Sequence, residues 1–80
     1  MTTPTIVAGS TKHLLLNQWA RRQGSAYDAA LEADVLDTDY SRRTRELVSA
    51  GCLEWTGKVN DGRNVLRITD FGRATRRAIK

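Results

Sequence analysis

The stretch from Asp37 to Thr69 constrains the fold more than any other part of the chain. It opens with an arginine-rich segment in which apolar residues recur at helical spacing, and Gly51 follows as a helix stop signal. Two short segments with apolar residues at alternate positions come next, and Asn60-Asp61-Gly62 joins them with residues typical of a hairpin turn. The stretch therefore predicts a helix that is followed directly by a two-stranded hairpin.

The helix within this stretch has one apolar face and one polar face. Asp37 or Thr38 is the expected N-cap, because either side chain can accept a hydrogen bond from a backbone N–H of the first turn. The inward positions follow at steps of four, three and one: Tyr40, Thr44, Leu47 and Val48. The outward positions, with Arg43 at the boundary, are Asp39, Ser41, Arg42, Arg45, Glu46 and Ser49. We therefore expect the basic side of this helix to face solvent or a ligand.

One helix is expected close to the start of the chain. Residues 1–9 show no periodicity and predict a flexible arm. The helix begins at Ser10 or Thr11 and runs to about Gln23, where its apolar residues lie one turn apart. Gly24 is expected to end it in a left-handed conformation.

Two more helices complete the set. Ser25 is the N-cap of a short second helix that stops near residues 33–34, and residues 35–36 are expected to pack inward as a turn. Thr69 is the N-cap of a last helix over residues 70–79, with an inward face of Phe71, Ala74 and Ala78. The order helix, helix, helix, strand, strand, helix predicts an α+β fold in one domain, residues 10–80.

The predicted hairpin needs support from the rest of the domain, because two strands alone are marginally stable in water. A third strand is expected from residues 5–7 or from the turn at residues 35–36. Trp19 and Trp55 stand at apolar spacings and are expected in the core. Cys52 has apolar neighbours, which indicates a packed thiol.

Charge is divided unevenly along the chain. The net charge is +4, but residues 1–40 carry three basic against five acidic side chains, whereas residues 41–80 carry ten basic against four acidic. A basic half in a small domain favours a polyanion such as nucleic acid. The alternative is a solvated surface that keeps the protein soluble.

Other functional classes find little support in the sequence. No apolar run is long enough to cross a membrane, and the first ten residues do not resemble a secretory signal, so a cytoplasmic protein is expected. His13 and Cys52, the single histidine and cysteine, are far apart in sequence and form neither a catalytic dyad signal nor a zinc motif. We expect no enzyme activity, no cofactor, no metal and no membrane partner.

The segment SRRTRELVSAGCLEWTG resembles the recognition helix and first wing strand of winged helix-turn-helix proteins. The segments GR at residues 62–63 and VLRITDFGR at residues 65–73 resemble the return strand of the wing and the start of the next helix. The matching positions of the first segment are Ser41, Arg42, Leu47, Gly51 and Leu53. The compact form is similar to small helix-turn-helix proteins of actinobacterial phages and to the DNA-binding core of the multiple-antibiotic-resistance regulator family. The helices with which that regulator family dimerises are not matched here.

The resemblance implies that the third helix enters the major groove of double-stranded DNA and that the hairpin lies on the backbone as a wing. The implied contacts from the helix are Thr38, Asp39, Ser41, Arg42, Arg43 and Arg45. Those from the wing, where phosphate contacts come first, are Lys58, Asn60, Arg63 and Arg67. Arg42 and Arg45 lie one turn apart and suit bidentate contacts to guanine.

Two alternatives stay open at this point. The three arginines of the helix can instead pair with Asp39 and Glu46 on a solvated surface, and Asp61 at the wing tip disfavours deep insertion into a minor groove. The whole domain can also serve as an interaction module that docks a host or phage protein, because a fold does not fix a function. A homodimer or another protein partner is compatible with either function.

Overall fold

The fold consists of three helices, an antiparallel hairpin and a last helix. The computed structural model describes residues 6–36 and 39–79. Its elements are α1 (Thr11–Arg21), α2 (Ala26–Ala33), α3 (Tyr40–Ser49), β1 (Leu53–Asn60), β2 (Arg63–Ile68) and α4 (Asp70–Ala78). The predicted α+β class and element order are confirmed, and the hairpin turn and the glycine stop after α3 lie where the local sequence indicated.

Side-chain caps set the start of three helices. The Ser10 hydroxyl accepts from the backbone N–H of His13 at 3.4 Å, and the Thr69 hydroxyl accepts from that of Gly72 at 2.9 Å. Ser25 and Asp28 form a reciprocal capping box, in which each side chain accepts from the other residue's backbone N–H. These predicted caps are confirmed.

The start of α3 differs from this scheme. Asp39 occupies the N-cap position, and its side chain makes no capping hydrogen bond. The predicted caps, Asp37 and Thr38, lie outside the described residues. Gly51 follows the helix with φ +84°, as expected of a glycine stop.

Gly24 does not end α1 in a left-handed conformation, and that expectation was wrong. The helix ends at Arg21, and Gly24 pairs with Leu66 as an isolated antiparallel bridge. The Leu66 N–H donates to the Gly24 carbonyl at 2.8 Å, and the Gly24 N–H donates back at 3.2 Å. The hairpin's third partner is therefore Gly24, and residues 6, 7, 35 and 36 form no strand.

The hairpin closes through a tight turn and contains a bulge. Asp61 and Gly62 both have positive φ, 52° and 75°, as a two-residue type I′ turn requires. The regular register is interrupted between Trp55 and Val59, where Thr56 bridges the irregularity: its hydroxyl donates to the Val65 carbonyl at 2.9 Å and accepts from the Lys58 N–H at 3.2 Å. The bulge bends β1 before it reaches the turn.

The core fills the space between α1, α2, α3 and the hairpin. Its buried hydrophobic residues are Leu15, Leu16, Trp19, Ala29, Ala30, Val35, Leu47, Cys52, Leu53, Leu66 and Ile68. The core positions predicted for Trp19 and Cys52 are confirmed. Trp55 was expected there and is 55% exposed, while Val48, expected to face inward, is 40% exposed.

The face that α4 buries also differs from the expectation. Gly72 and Thr75 are buried, whereas Ala74 and Ala78 are exposed and Phe71 is only half-buried. A Cβ atom at Gly72 would clash with the Cys52 carbonyl oxygen and lie 2.8 Å from Cγ1 of Ile68. The helix therefore docks by close backbone approach, which a pattern of apolar side chains does not reveal.

Replacing Gly72 with alanine should destabilise the domain despite the better helix propensity of alanine. The added methyl group has no room against the Cys52 carbonyl, and overpacking of this kind typically costs about 1–3 kcal/mol. Urea denaturation, monitored by circular dichroism, measures the decrease in the free energy of unfolding. Arg73→Ala, at the exposed next position, is the matched control and should change stability little. A Gly72→Ala variant as stable as wild type would contradict the close approach.

Candidate nucleic-acid interface

The outward side of α3 presents two arginines that are free to meet a ligand. Arg42 and Arg45 are exposed, lie about one helical turn apart, and make no ion pair or side-chain hydrogen bond with any residue of 6–36 or 39–79. Ser41 and Ser49 are exposed on the same helix. The alternative in which the arginines of this helix pair with Asp39 and Glu46 does not hold for Arg42 or Arg45 within those ranges.

Arg43 has a different environment. Its Nη1 atom donates to both carboxylate oxygens of Glu46, at 2.8 and 3.2 Å, and Nζ of Lys12 on α1 lies 3.4 Å from the same carboxylate. The hydrogen bond from Arg43, with help from Lys12, lowers the pKa of Glu46 below its ordinary value of 4.5. Glu46 therefore stays ionised at neutral pH, joins α3 to α1 and holds Arg43 in an internal pair.

The predicted wing residues fall into two groups. Lys58 and Asn60 are exposed on β1 near the turn. Arg63 lies over the ring of Tyr27, with Cζ 4.2 Å from the ring centroid, and Nε of Arg67 lies 2.6 Å from Oε1 of Glu54. The cation–π contact positions Arg63 but leaves its charge in place, because a ring does not neutralise a guanidinium.

A groove joins α3 to the hairpin. It has a volume of about 870 Å³ and lies between the first turn of α2, one flank of α3 and the hairpin. We call it the α3–wing groove and define it by Tyr27, Tyr40, Arg45, Val48, Trp55 and Arg63. Among the described residues, its charged lining residues are Arg45 and Arg63, and none of the described lining residues is an aspartate or a glutamate. The groove thus suits an anionic ligand that also has apolar surface.

Trp55 is the groove residue that sequence reasoning placed wrongly. Its indole Nε1–H donates to the Lys58 carbonyl at 3.0 Å, across the bulge, which fixes the ring at the surface. Spacing alone predicts burial, since Trp55 lies two residues after Leu53 and would share its face in a regular strand. The signal that Trp55 is exposed was Gly57 within the strand, which is typical of a bulge.

Two side chains that can carry chemistry have structural roles here. Nδ1 of His13 accepts from the Gly9 N–H at 2.8 Å, and Cys52 is fully buried, where desolvation raises the pKa of its thiol. No cluster of three or more possible metal ligands occurs among residues 6–36 and 39–79. Thr38, the remaining predicted contact, lies outside the described residues.

Comparison of the chain with known proteins finds no relative. No family model matches the chain, and no match was found among curated proteins or among solved structures. Across the described ranges, no helix is both long and apolar enough to span a bilayer. The functional interpretation therefore depends on the geometry of α3, the hairpin and the groove between them.

The Glu46 pair predicts an acid-dependent contribution to stability. Because the folded-state pKa of Glu46 is lowered, its contribution is present above the ordinary value of 4.5 and is lost as pH falls through the lowered pKa. Glu46→Gln should therefore be less stable than wild type at neutral pH, and the two proteins should converge in acid. Thermal unfolding across a pH series measures this, and a difference that persists unchanged at low pH would contradict the assignment.

Cys52 should react with a thiol reagent only when the domain opens. The side chain is inaccessible, and the raised pKa disfavours the reactive thiolate. Labelling by a chromogenic disulfide at mildly alkaline pH should be slow without denaturant and should accelerate in parallel with urea unfolding. Rapid labelling of the native protein would show that the thiol is not packed as described.

Proposed function

We propose that this protein binds double-stranded DNA sequence-specifically, with α3 in the major groove and the hairpin as a wing on the backbone. The observation that supports this best is the convergence of Arg45 of α3 and Arg63 of the hairpin on one groove, whose described lining residues include no carboxylate. Such a surface attracts a polyanion, because its described charges are positive and do not repel phosphate groups. The proposed biological role is a small phage or bacterial regulator of transcription or recombination, without enzyme activity or cofactor.

Base readout in this proposal belongs to the outward side of α3. Arg42 and Arg45 have no ion-pair or side-chain hydrogen-bond partner among the residues that the structure describes, and a bidentate contact to O6 and N7 of guanine is the commonest specific contact of arginine. Ser41 adds a hydroxyl near the start of the helix. Arg43 is left out of direct readout because Glu46 already holds its guanidinium.

Backbone contacts belong to the wing. Lys58 and Asn60 are exposed, and Arg63 projects from Tyr27 at the edge of the groove. Arg67 contributes less, because reaching a phosphate would break its pair with Glu54. The contacts of Lys58, Asn60 and Arg63 would set orientation and affinity but not sequence preference.

Binding should weaken steeply with salt, because the basic residues displace counterions from phosphates. A gel-shift series with a random-sequence duplex, from low to moderate salt, measures the slope of the logarithm of affinity. Lys58→Ala should reduce the affinity for all sequences. It should also make the slope shallower by about one for each lost phosphate contact, because one fewer counterion is released. Arg77→Ala, an exposed arginine on α4 outside the groove, is the control. Absence of duplex binding even at the lowest salt would refute the proposed function.

Sequence preference should depend on Arg42. Selection of binding sites from random duplexes identifies the preferred sequence, and Arg42→Ala should cost about 1–3 kcal/mol on that sequence by removing one bidentate contact. The affinity of Arg42→Ala for random DNA should fall less than the affinity of Lys58→Ala does. An Arg42→Ala variant that keeps the full preference would remove this residue from base readout.

A protein-docking function is the second candidate, and one observation favours it. Trp55 and Val48 expose apolar surface on the same groove, at 55% and 40%. A docking module predicts no duplex binding at low salt and a protein partner whose binding is lost in Trp55→Ala but retained in Arg42→Ala. Sedimentation at several concentrations tests whether that partner is a second copy of the chain.

A further inference from the structure

The outward side of α3 includes an apolar residue that the core does not require. Val48 is 40% exposed and lines the α3–wing groove together with Ser41 and Arg45. These three residues follow one another at steps of four and three, which places them on one stripe of the helix. Val48 therefore belongs to the same surface as the arginine proposed to read bases.

The hairpin side of the groove also contributes apolar surface. Trp55 faces the groove from β1, and the hydrogen bond from its indole N–H to the Lys58 carbonyl fixes the ring. Val48 and Trp55 thus form an apolar section of a groove whose charged lining residues, within the described ranges, are both cationic. A ligand that fits must present an apolar group close to an anionic backbone.

DNA has such a group in its major groove. The C5-methyl of thymine is the apolar feature among the base edges there, and aliphatic side chains contact it. Val48 lies three residues after Arg45, a rise of about 4.5 Å at 1.5 Å per residue. One base pair advances about 3.4 Å, so for an α3 that lies along the major groove the base pair facing Val48 would be about one step from the one facing Arg45.

We propose that Val48 is a specificity-determining residue that reads a thymine methyl group next to the base pair contacted by Arg45. This inference rests on the DNA-binding function proposed above and adds a base identity to it. Val48 has no donor or acceptor in its side chain, so its discrimination comes from apolar contact alone. Trp55 supplies further apolar surface in the same groove.

Deoxyuridine tests the inference because it differs from thymidine only by the missing methyl group. In the duplex obtained by selection, each thymine is replaced in turn by deoxyuridine, and affinity is measured for wild type and Val48→Ala. One replacement should weaken wild-type binding about fourfold, the equivalent of one buried methyl group. The same replacement should leave the affinity of Val48→Ala nearly unchanged.

The control variant is Leu31→Ala, which removes an aliphatic side chain of similar exposure, 54%, on α2 away from the groove. It should respond to deoxyuridine as wild type does. If wild type binds the duplex but no thymine shows an effect that depends on Val48, or if the selected site contains no thymine, this inference is overturned and DNA binding stands. If wild type binds no duplex at all, the proposed function fails and the inference fails with it.

Discussion

The pair of backbone hydrogen bonds between Gly24 and Leu66 positions the rest of the molecule. A two-stranded hairpin has little stability of its own, and this bridge attaches it to the segment between α1 and α2. The Trp19 indole N–H also donates to the Gly24 carbonyl, at 3.1 Å, so the core holds the same segment. Since the bridge fixes β2 beside the first turn of α2, it fixes the hairpin at the distance from α3 that creates the groove.

Carboxylates divide the basic residues into two groups. Glu46 holds Arg43 and Lys12, and Glu54 holds Arg67, so part of the charge of the basic half stabilises the domain itself. Arg42, Arg45 and Lys58 have no such partner among the described residues. Fewer basic side chains therefore remain for a polyanion than the count of thirteen lysines and arginines indicates, and among the described residues Arg45 and Arg63 are the two that line the groove.

Much of the fold and part of the candidate site follow from local rules. The caps Ser10, Ser25 and Thr69, the stop at Gly51 and the Asp-Gly turn depend on neighbours within a few residues, and the structure has each where it was expected. The outward positions of Arg42 and Arg45 follow from helix periodicity. These features are readable because capping and turn geometry involve one short segment at a time.

The order of the elements, the caps at Ser25 and Thr69 and the basic side of α3 follow from the amino-acid pattern alone. The pairing of Gly24 with a strand, the docking of α4 through Gly72 and the position of Trp55 and Val48 in a groove arise only in the folded molecule. Each of these depends on a contact between segments distant in the chain or on a bulge that shifts the alternation of a strand. Periodicity describes one element in isolation, and it contains no information about how closely two backbones approach each other.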